Sequence, residues 1–126
     1  MFKLIKIENG RMNVPEPEYF VAGADLKAGQ AVAVSNGKLA VNATAPTYIT
    51  LASAKANDAK VPCTRIEPNQ VYEVAISAAP SGLYVGDKVT LATDATSVTA
   101  TKTNGIATIV SLEDAKASGD KVTVRF

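Results

Sequence analysis

The chain has 12 carboxylates and one cysteine that could serve in acid–base or nucleophilic chemistry, but it has no histidine. The absence of histidine excludes Ser-His-Asp and Cys-His catalysis, most zinc and iron sites, and the usual proton shuttle near neutral pH. Cys63 lies in Val61–Ile66, which alternates as a strand does, and no base accompanies it. We therefore interpret Cys63 as a buried structural thiol.

Carboxylate pairs are the remaining route to catalysis. Glu16 and Glu18 are two residues apart but flank Pro17, and the adjacent Glu113 and Asp114 would point to opposite faces of a strand. Neither pair lies in an obvious apolar pocket that would raise one pKa, so we interpret all four as solvated charges. Calcium-loop spacing is absent from the loop aspartates Asp58, Asp94 and Asp120. The sequence predicts no catalytic residue, no metal and no cofactor.

Composition and charge limit the classes of partner that the chain is expected to bind. The net charge is +1, no block of lysine and arginine occurs, and only 6% of residues are aromatic, so nucleic acid is not expected. The apolar stretches are too short to span a bilayer, and Met1–Glu8 alternates like a strand, not a signal peptide. One cysteine rules out an internal disulfide framework. These features predict synthesis and retention in the cytoplasm until assembly.

Short runs of Val, Ile and Thr separated by turn residues predict an all-β fold. The strongest local signal is Asn36-Gly37, which predicts a type I′ hairpin between Gln30–Ser35 and Lys38–Val41. Helical periodicity is weak everywhere, with single-turn candidates only at Leu112–Ala117 and Ala52–Ala59. Further strands are predicted at Phe2–Ile7, Tyr19–Ala22, Tyr48–Ala52, Val61–Ile66, Val71–Ser77, Lys88–Ala92, Ser97–Thr101, Ile106–Leu112 and Lys121–Phe126.

The chain also carries an internal similarity. Leu26–Val34 matches Leu83–Leu91 in pattern, and both begin with Leu-x-x-Gly. We predict an N-terminal strand and arm over 1–18 and a β domain over 19–126, with an internal repeat of approximately 19–66 and 71–126. Two such blocks would hide each other's apolar faces in a small β-barrel or sandwich, and the pattern leaves one barrel or two lobes open.

Three segments resemble small β-barrel proteins that tailed phages encode beside the major capsid protein. These are V-Y-E-V-A-I-S-A at Val71–Ala78, G-L-x-V-G-D-K-V-T-L at Gly82–Leu91, and G-D-K-V-x-V-R-F at Gly119–Phe126. Lys6–Pro17 is similar to the opening arm of those proteins. The resemblance implies a decoration or cement protein on the outer capsid surface of a virion, made in the host cytoplasm. It further implies the major capsid protein as partner, and a homo-oligomer, with a trimer as the expected state.

An extended arm would suit that role, because it can add a strand to the edge of a partner sheet. The apolar side chains of this possible capsid-contacting arm are Phe2, Leu4, Ile5, Ile7, Met12 and Val14. Phe2–Ile7 fits an internal sheet strand of the domain equally well.

Two functions of other classes stay open. A glycan- or cell-surface-binding module would use a stacking platform of aromatic rings, and an enzyme would have to rely on carboxylates and threonine hydroxyls. The candidate platform rings are Tyr19, Phe20, Tyr48, Tyr72 and Tyr84.

Overall fold

The computed structural model describes residues 1–8, 15–58 and 60–126, and all of its regular structure is β-strand. Two five-stranded antiparallel sheets form a sandwich-like fold without a closed barrel, which confirms the predicted all-β class. The strands are β1 Lys3–Ile7, β2 Glu18–Phe20, β3 Ala31–Ser35, β4 Lys38–Val41, β5 Tyr48–Thr50, β6 Val61–Arg65, β7 Gln70–Ala75, β8 Lys88–Val89, β9 Ala107–Ser111 and β10 Lys121–Arg125.

Each sheet collects one stretch of the chain. Sheet I has the order β2-β6-β5-β3-β4 and sheet II has the order β1-β7-β10-β9-β8. Apart from β1, sheet II is therefore built from the second half of the chain. In sheet I, β2 pairs with β6, the last strand of its stretch, and β6 also pairs with β5. In sheet II, β7 pairs in the same way with β10, and β10 also pairs with β9.

The hairpin in sheet I forms as predicted. Asn36 and Gly37 have φ angles of 50° and 76°, the two positive values that a type I′ turn needs. Ser35 pairs with Lys38 directly before and after this turn. The corresponding part of sheet II is less regular, because Val98 forms only a single antiparallel bridge with Leu91.

Alternation along β3 and β5 gives sheet I a buried residue on each face. Val32 and Tyr48 belong to one apolar cluster, whereas Ala31 and Ile49 belong to the larger cluster, to which sheet II contributes more residues than sheet I does. The larger cluster includes an aromatic group in which the Phe2 and Tyr72 ring centroids lie 6.3 Å apart. The chain thus has two adjoining cores with sheet I between them.

The N-terminal strand belongs to this sandwich. Lys3 pairs with Glu73 and Leu4 with Tyr72, and the register shifts between Leu4 and Lys6. Of the two interpretations left open by the sequence, β1 adopts the internal one, as the edge strand of sheet II. A bulge and lysines on an edge strand discourage pairing with further strands.

Some predicted elements differ in the structure. Ser97–Thr101 is not a strand, and only Val98 within it makes bridges. Leu112–Ala117 is a turn in which the Ala115 N–H donates to the Leu112 carbonyl, not a helical element. The other helical candidate, Ala52–Ala59, contains a bend at Ala52, a turn and a single bridge as far as residue 58, and its last residue lies outside the described part.

Candidate attachment surface

Cys63 is fully buried, and burial raises the pKa of its thiol to about 11. Its Sγ lies 3.4 Å from the Glu18 carbonyl oxygen, to which it donates. A thiol with such a pKa stays protonated near neutral pH and is a poor nucleophile. The prediction of a buried structural thiol is confirmed.

The carboxylates predicted as solvated charges behave in two ways. Glu16, Glu113 and Asp114 are exposed. Glu18 is different, because the Arg65 guanidinium lies against it with Nε 3.2 Å from Oε2. Glu18 therefore keeps its place at the surface but has an ion-pair partner that the sequence did not indicate, because Arg65 comes from β6, the strand that pairs with β2.

Glu18, Arg65 and Tyr48 form a hydrogen-bonded cluster across three strands of sheet I. Arg65 Nη2 donates to the Tyr48 hydroxyl at 2.9 Å, and this hydroxyl lies 3.2 Å from Glu18 Oε1. The hydrogen bond from Arg65 holds the pKa of Glu18 below its usual range, while desolvation raises the pKa of Tyr48. The three side chains are one another's partners, so the cluster links β2 to β6 and to β5.

One surface cleft contains a carboxylate, Asp25, that already has hydrogen-bond and ion-pair partners. Asp25, in a cleft with Leu26 and Ser53, lies 2.9 Å from Lys55 Nζ and accepts the Ala56 N–H at 3.0 Å. These contacts hold the pKa of Asp25 below its usual range, with the Ala56 N–H as the larger cause. Within residues 1–8, 15–58 and 60–126, no group of three or more potential ligand side chains could hold a metal ion.

The five aromatic rings considered as a glycan platform do not form one. Tyr48 and Tyr72 are only 6% and 1% exposed, and Phe20 packs against Tyr48 with the ring centroids 5.3 Å apart. Tyr19 and Tyr84 are exposed but lie on β2 of sheet I and in the turn before β8 of sheet II. Burial of two of the rings makes the five-ring platform wrong.

The arm residues have different environments. Phe2 is 3% exposed and packs against Tyr72 and Phe126, and Leu4 packs on the same core. Ile7 is half-buried, whereas Ile5 is 48% exposed. Met12 and Val14 lie outside the described residues. Contact between this arm and a capsid stays a prediction, and Phe2 has its ring occupied within its own fold.

The two most exposed large apolar side chains among the described residues are neighbours, Tyr84 at 71% and Val85 at 67%. Their turn is held by Asp87, which accepts the Tyr84 N–H at 2.9 Å and lies 2.9 Å from Lys102 Nζ. Lys102 Nζ also lies 5.8 Å from the centroid of the Tyr84 ring. The sequence did not indicate this arrangement, because Lys102 reaches the turn only through the fold.

No helix in the part of the chain that the structure describes is long and apolar enough to cross a membrane.

Comparison with known proteins yields a match of fold. No protein-family model and no curated protein matches the sequence. Among solved structures, the fold is similar to the head fiber gp8.5 N base in bacteriophage phi29, with a TM-score of 0.61. The match covers 87% of this chain and 92% of that chain at 19% sequence identity. The two chains therefore share one fold over nearly their whole lengths.

Proposed function

We propose that this chain is a structural protein of a tailed-phage head, which binds the outer surface of the capsid and stabilises it. The observation that carries the proposal is the fold shared with a phage head fiber base across 87% of this chain. The sequence resemblance of Val71–Ala78, Gly82–Leu91 and Gly119–Phe126 to capsid-associated β proteins supports it from a separate direction. Both lines support the proposal of a protein that acts by adhesion, without a reaction.

The physical design suits this role. A ligand that binds only the assembled form of a shell stabilises that form by mass action. Many symmetric copies on one shell convert a weak individual contact into strong overall attachment. We expect a sandwich with two buried cores to change shape little on binding and so to lose little conformational entropy.

The test uses shells assembled from the major capsid protein of the genome that encodes the chain, before and after expansion. The purified chain is mixed with them and pelleted through a cushion, with serum albumin as the negative control. We expect saturable binding, and shells that resist heat better when the chain is present. Shells that bind no chain in either state, at low and at high salt, would overturn the proposal.

A further inference from the structure

Two turns with the pattern Leu-x-x-Gly, Leu26–Gly29 before β3 and Leu83–Gly86 before β8, have the same backbone construction. Both leucines are buried, at 3% and 5% exposure, and both glycines have positive φ, at 68° and 95°. Each glycine N–H donates to a strand carbonyl, Gly29 to Thr50 at 2.8 Å and Gly86 to Ile109 at 2.9 Å. The two turns therefore hold equivalent positions in the two sheets.

In each turn a side chain accepts a hydrogen bond from a backbone N–H of the same turn. Gln30 Oε1 accepts the Lys27 N–H at 2.9 Å, and Asp87 Oδ2 accepts the Tyr84 N–H at 2.9 Å. In both turns the acceptor directly follows the glycine and the donor lies two residues before it. The turns differ at the two positions between the leucine and the glycine, which are Lys27-Ala28 in one turn and Tyr84-Val85 in the other.

The two turns also differ in what covers them. The Phe2 N–H donates to the Gly29 carbonyl at 2.7 Å. A Cβ built on Gly29 would meet the Met1 side chain and lie 2.8 Å from the Phe2 oxygen. A Cβ built on Gly86 has nothing within 4 Å, and no backbone N–H of the described residues donates to the Gly86 carbonyl.

We propose that Tyr84–Gly86 is the docking site for an extended apolar segment of the head shell protein, which covers Gly86 as Met1-Phe2 covers Gly29. This inference rests on the proposed function and names the surface through which it operates. The segment donates a backbone N–H to the Gly86 carbonyl and places an aliphatic or aromatic side chain against Tyr84 and Val85. Main-chain pairing combined with an apolar contact is a common mode of peptide recognition.

The turn has the properties of a binding anchor. Tyrosine side chains held in one orientation before binding lose little entropy on association and often carry much of the binding energy. Lys102 and Asp87 hold the Tyr84 turn in this way. A second copy of the chain does not supply the segment through Phe2, because that ring is 3% exposed and occupied by Tyr72 and Phe126.

The chain supplies its own test substitution. In the Y84K/V85A double variant, the exposed turn takes the residues that the equivalent turn already carries at Lys27 and Ala28. A second variant, Y84Q/V85S, removes the apolar surface without adding a charge beside Lys102. The matched control is Y19K, which changes another exposed tyrosine, 55% exposed on sheet I. Thermal melting and sedimentation of each variant establish folding and oligomeric state before shells are added.

We expect both double variants to bind shells at least about tenfold more weakly than the wild type, a loss of about 1.4 kcal/mol, and Y19K to bind as the wild type does. A photo-crosslinker at position 85 should attach the chain to the shell protein. If the wild type binds shells and the folded double variants bind them with the same affinity, the docking site is overturned and the proposed function stands. Crosslinks to a second copy, or self-association lost in the variants, would also overturn it. No binding by the wild type would instead refute the proposed function.

Discussion

Arg65 donates two hydrogen bonds to the Glu18 carboxylate, one from Nε and one from Nη2, each 3.2 Å long. Paired donation of this kind matches the fork of the guanidinium to the two carboxylate oxygens. Glu18 opens β2, a strand of three residues whose one ladder partner is β6, the strand that carries Arg65. The ion pair thus reinforces the attachment of a short edge strand.

Arg65→Met should lower the melting temperature near neutral pH, and the difference from wild type should shrink in acid. The folded pKa of Glu18 lies below its usual range, so ionised Glu18 contributes stability above its unfolded pKa, about 4.3. That contribution is lost as the pH falls through the lower folded pKa. Thermal melts of both proteins between roughly pH 3 and pH 7 measure the convergence.

Lys55→Met is the control for this experiment, because it removes the cation of a more exposed ion pair, in which Lys55 is 79% and Asp25 63% exposed. Solvent screens such a pair, so its removal should change the melting temperature less. A gap between Arg65→Met and wild type that stays constant across the pH range would show that Glu18 ionisation plays no part.

The local features of this fold were predictable, whereas contacts between distant segments were not. Asn36-Gly37 fixes its own hairpin because the two positive φ angles are a property of those residues. The pairing of Lys102 with Asp87, and of Arg125 with Glu8 at 2.6 Å, depends on how the fold brings distant segments together. Charged residues far apart in sequence give no signal of such pairing before the sheet order is known.

The exposed turn at Tyr84 and Val85 was not predictable from the sequence for a related reason. Alternation predicts which strand residues are buried, but Tyr84 and Val85 lie in a turn, where no periodicity operates. The Leu-x-x-Gly match did place Leu26–Gly29 and Leu83–Gly86 at corresponding positions of the two similar blocks. It did not show that Met1-Phe2 covers one of them, since that contact joins segments by tertiary packing.

Phe2→Ala should destabilise the fold strongly and Ile5→Ala only slightly. Removing a buried phenylalanine ring costs about 3–5 kcal/mol, and Phe2 is 3% exposed beside Tyr72 and Phe126. Ile5 is 48% exposed at the bulge of β1, so its truncation should stay within about 1 kcal/mol. Urea unfolding of the two variants gives both free energies. Equal costs for both changes would contradict the placement of β1 in the sandwich.

The Cys63 thiol should resist labelling in the folded protein and react once the protein unfolds. It is fully buried and its pKa is about 11, so at about pH 8 little thiolate exists and the reagent has no access. An aromatic disulfide reagent, followed by absorbance, measures the rate with and without denaturant. Ser53→Cys provides an exposed reference thiol in the same chain. If Cys63 in the otherwise native protein reacts as fast as that reference, the burial of β6 is wrong.

Gly29→Ala should destabilise the chain more than Gly86→Ala, although both replace a glycine of the same turn. Both positions have positive φ, 68° and 95°, so each alanine bears the cost of a left-handed conformation, about 1–2 kcal/mol. At Gly29 the new methyl also meets the Phe2 backbone, whose nitrogen and oxygen lie 3.0 and 2.8 Å from the built Cβ, whereas at Gly86 the space is open. The excess cost at Gly29 therefore measures how firmly the N-terminal segment covers its turn. Urea unfolding of the two variants gives the difference, and equal costs would mean that Met1-Phe2 detaches from Gly29 with little penalty.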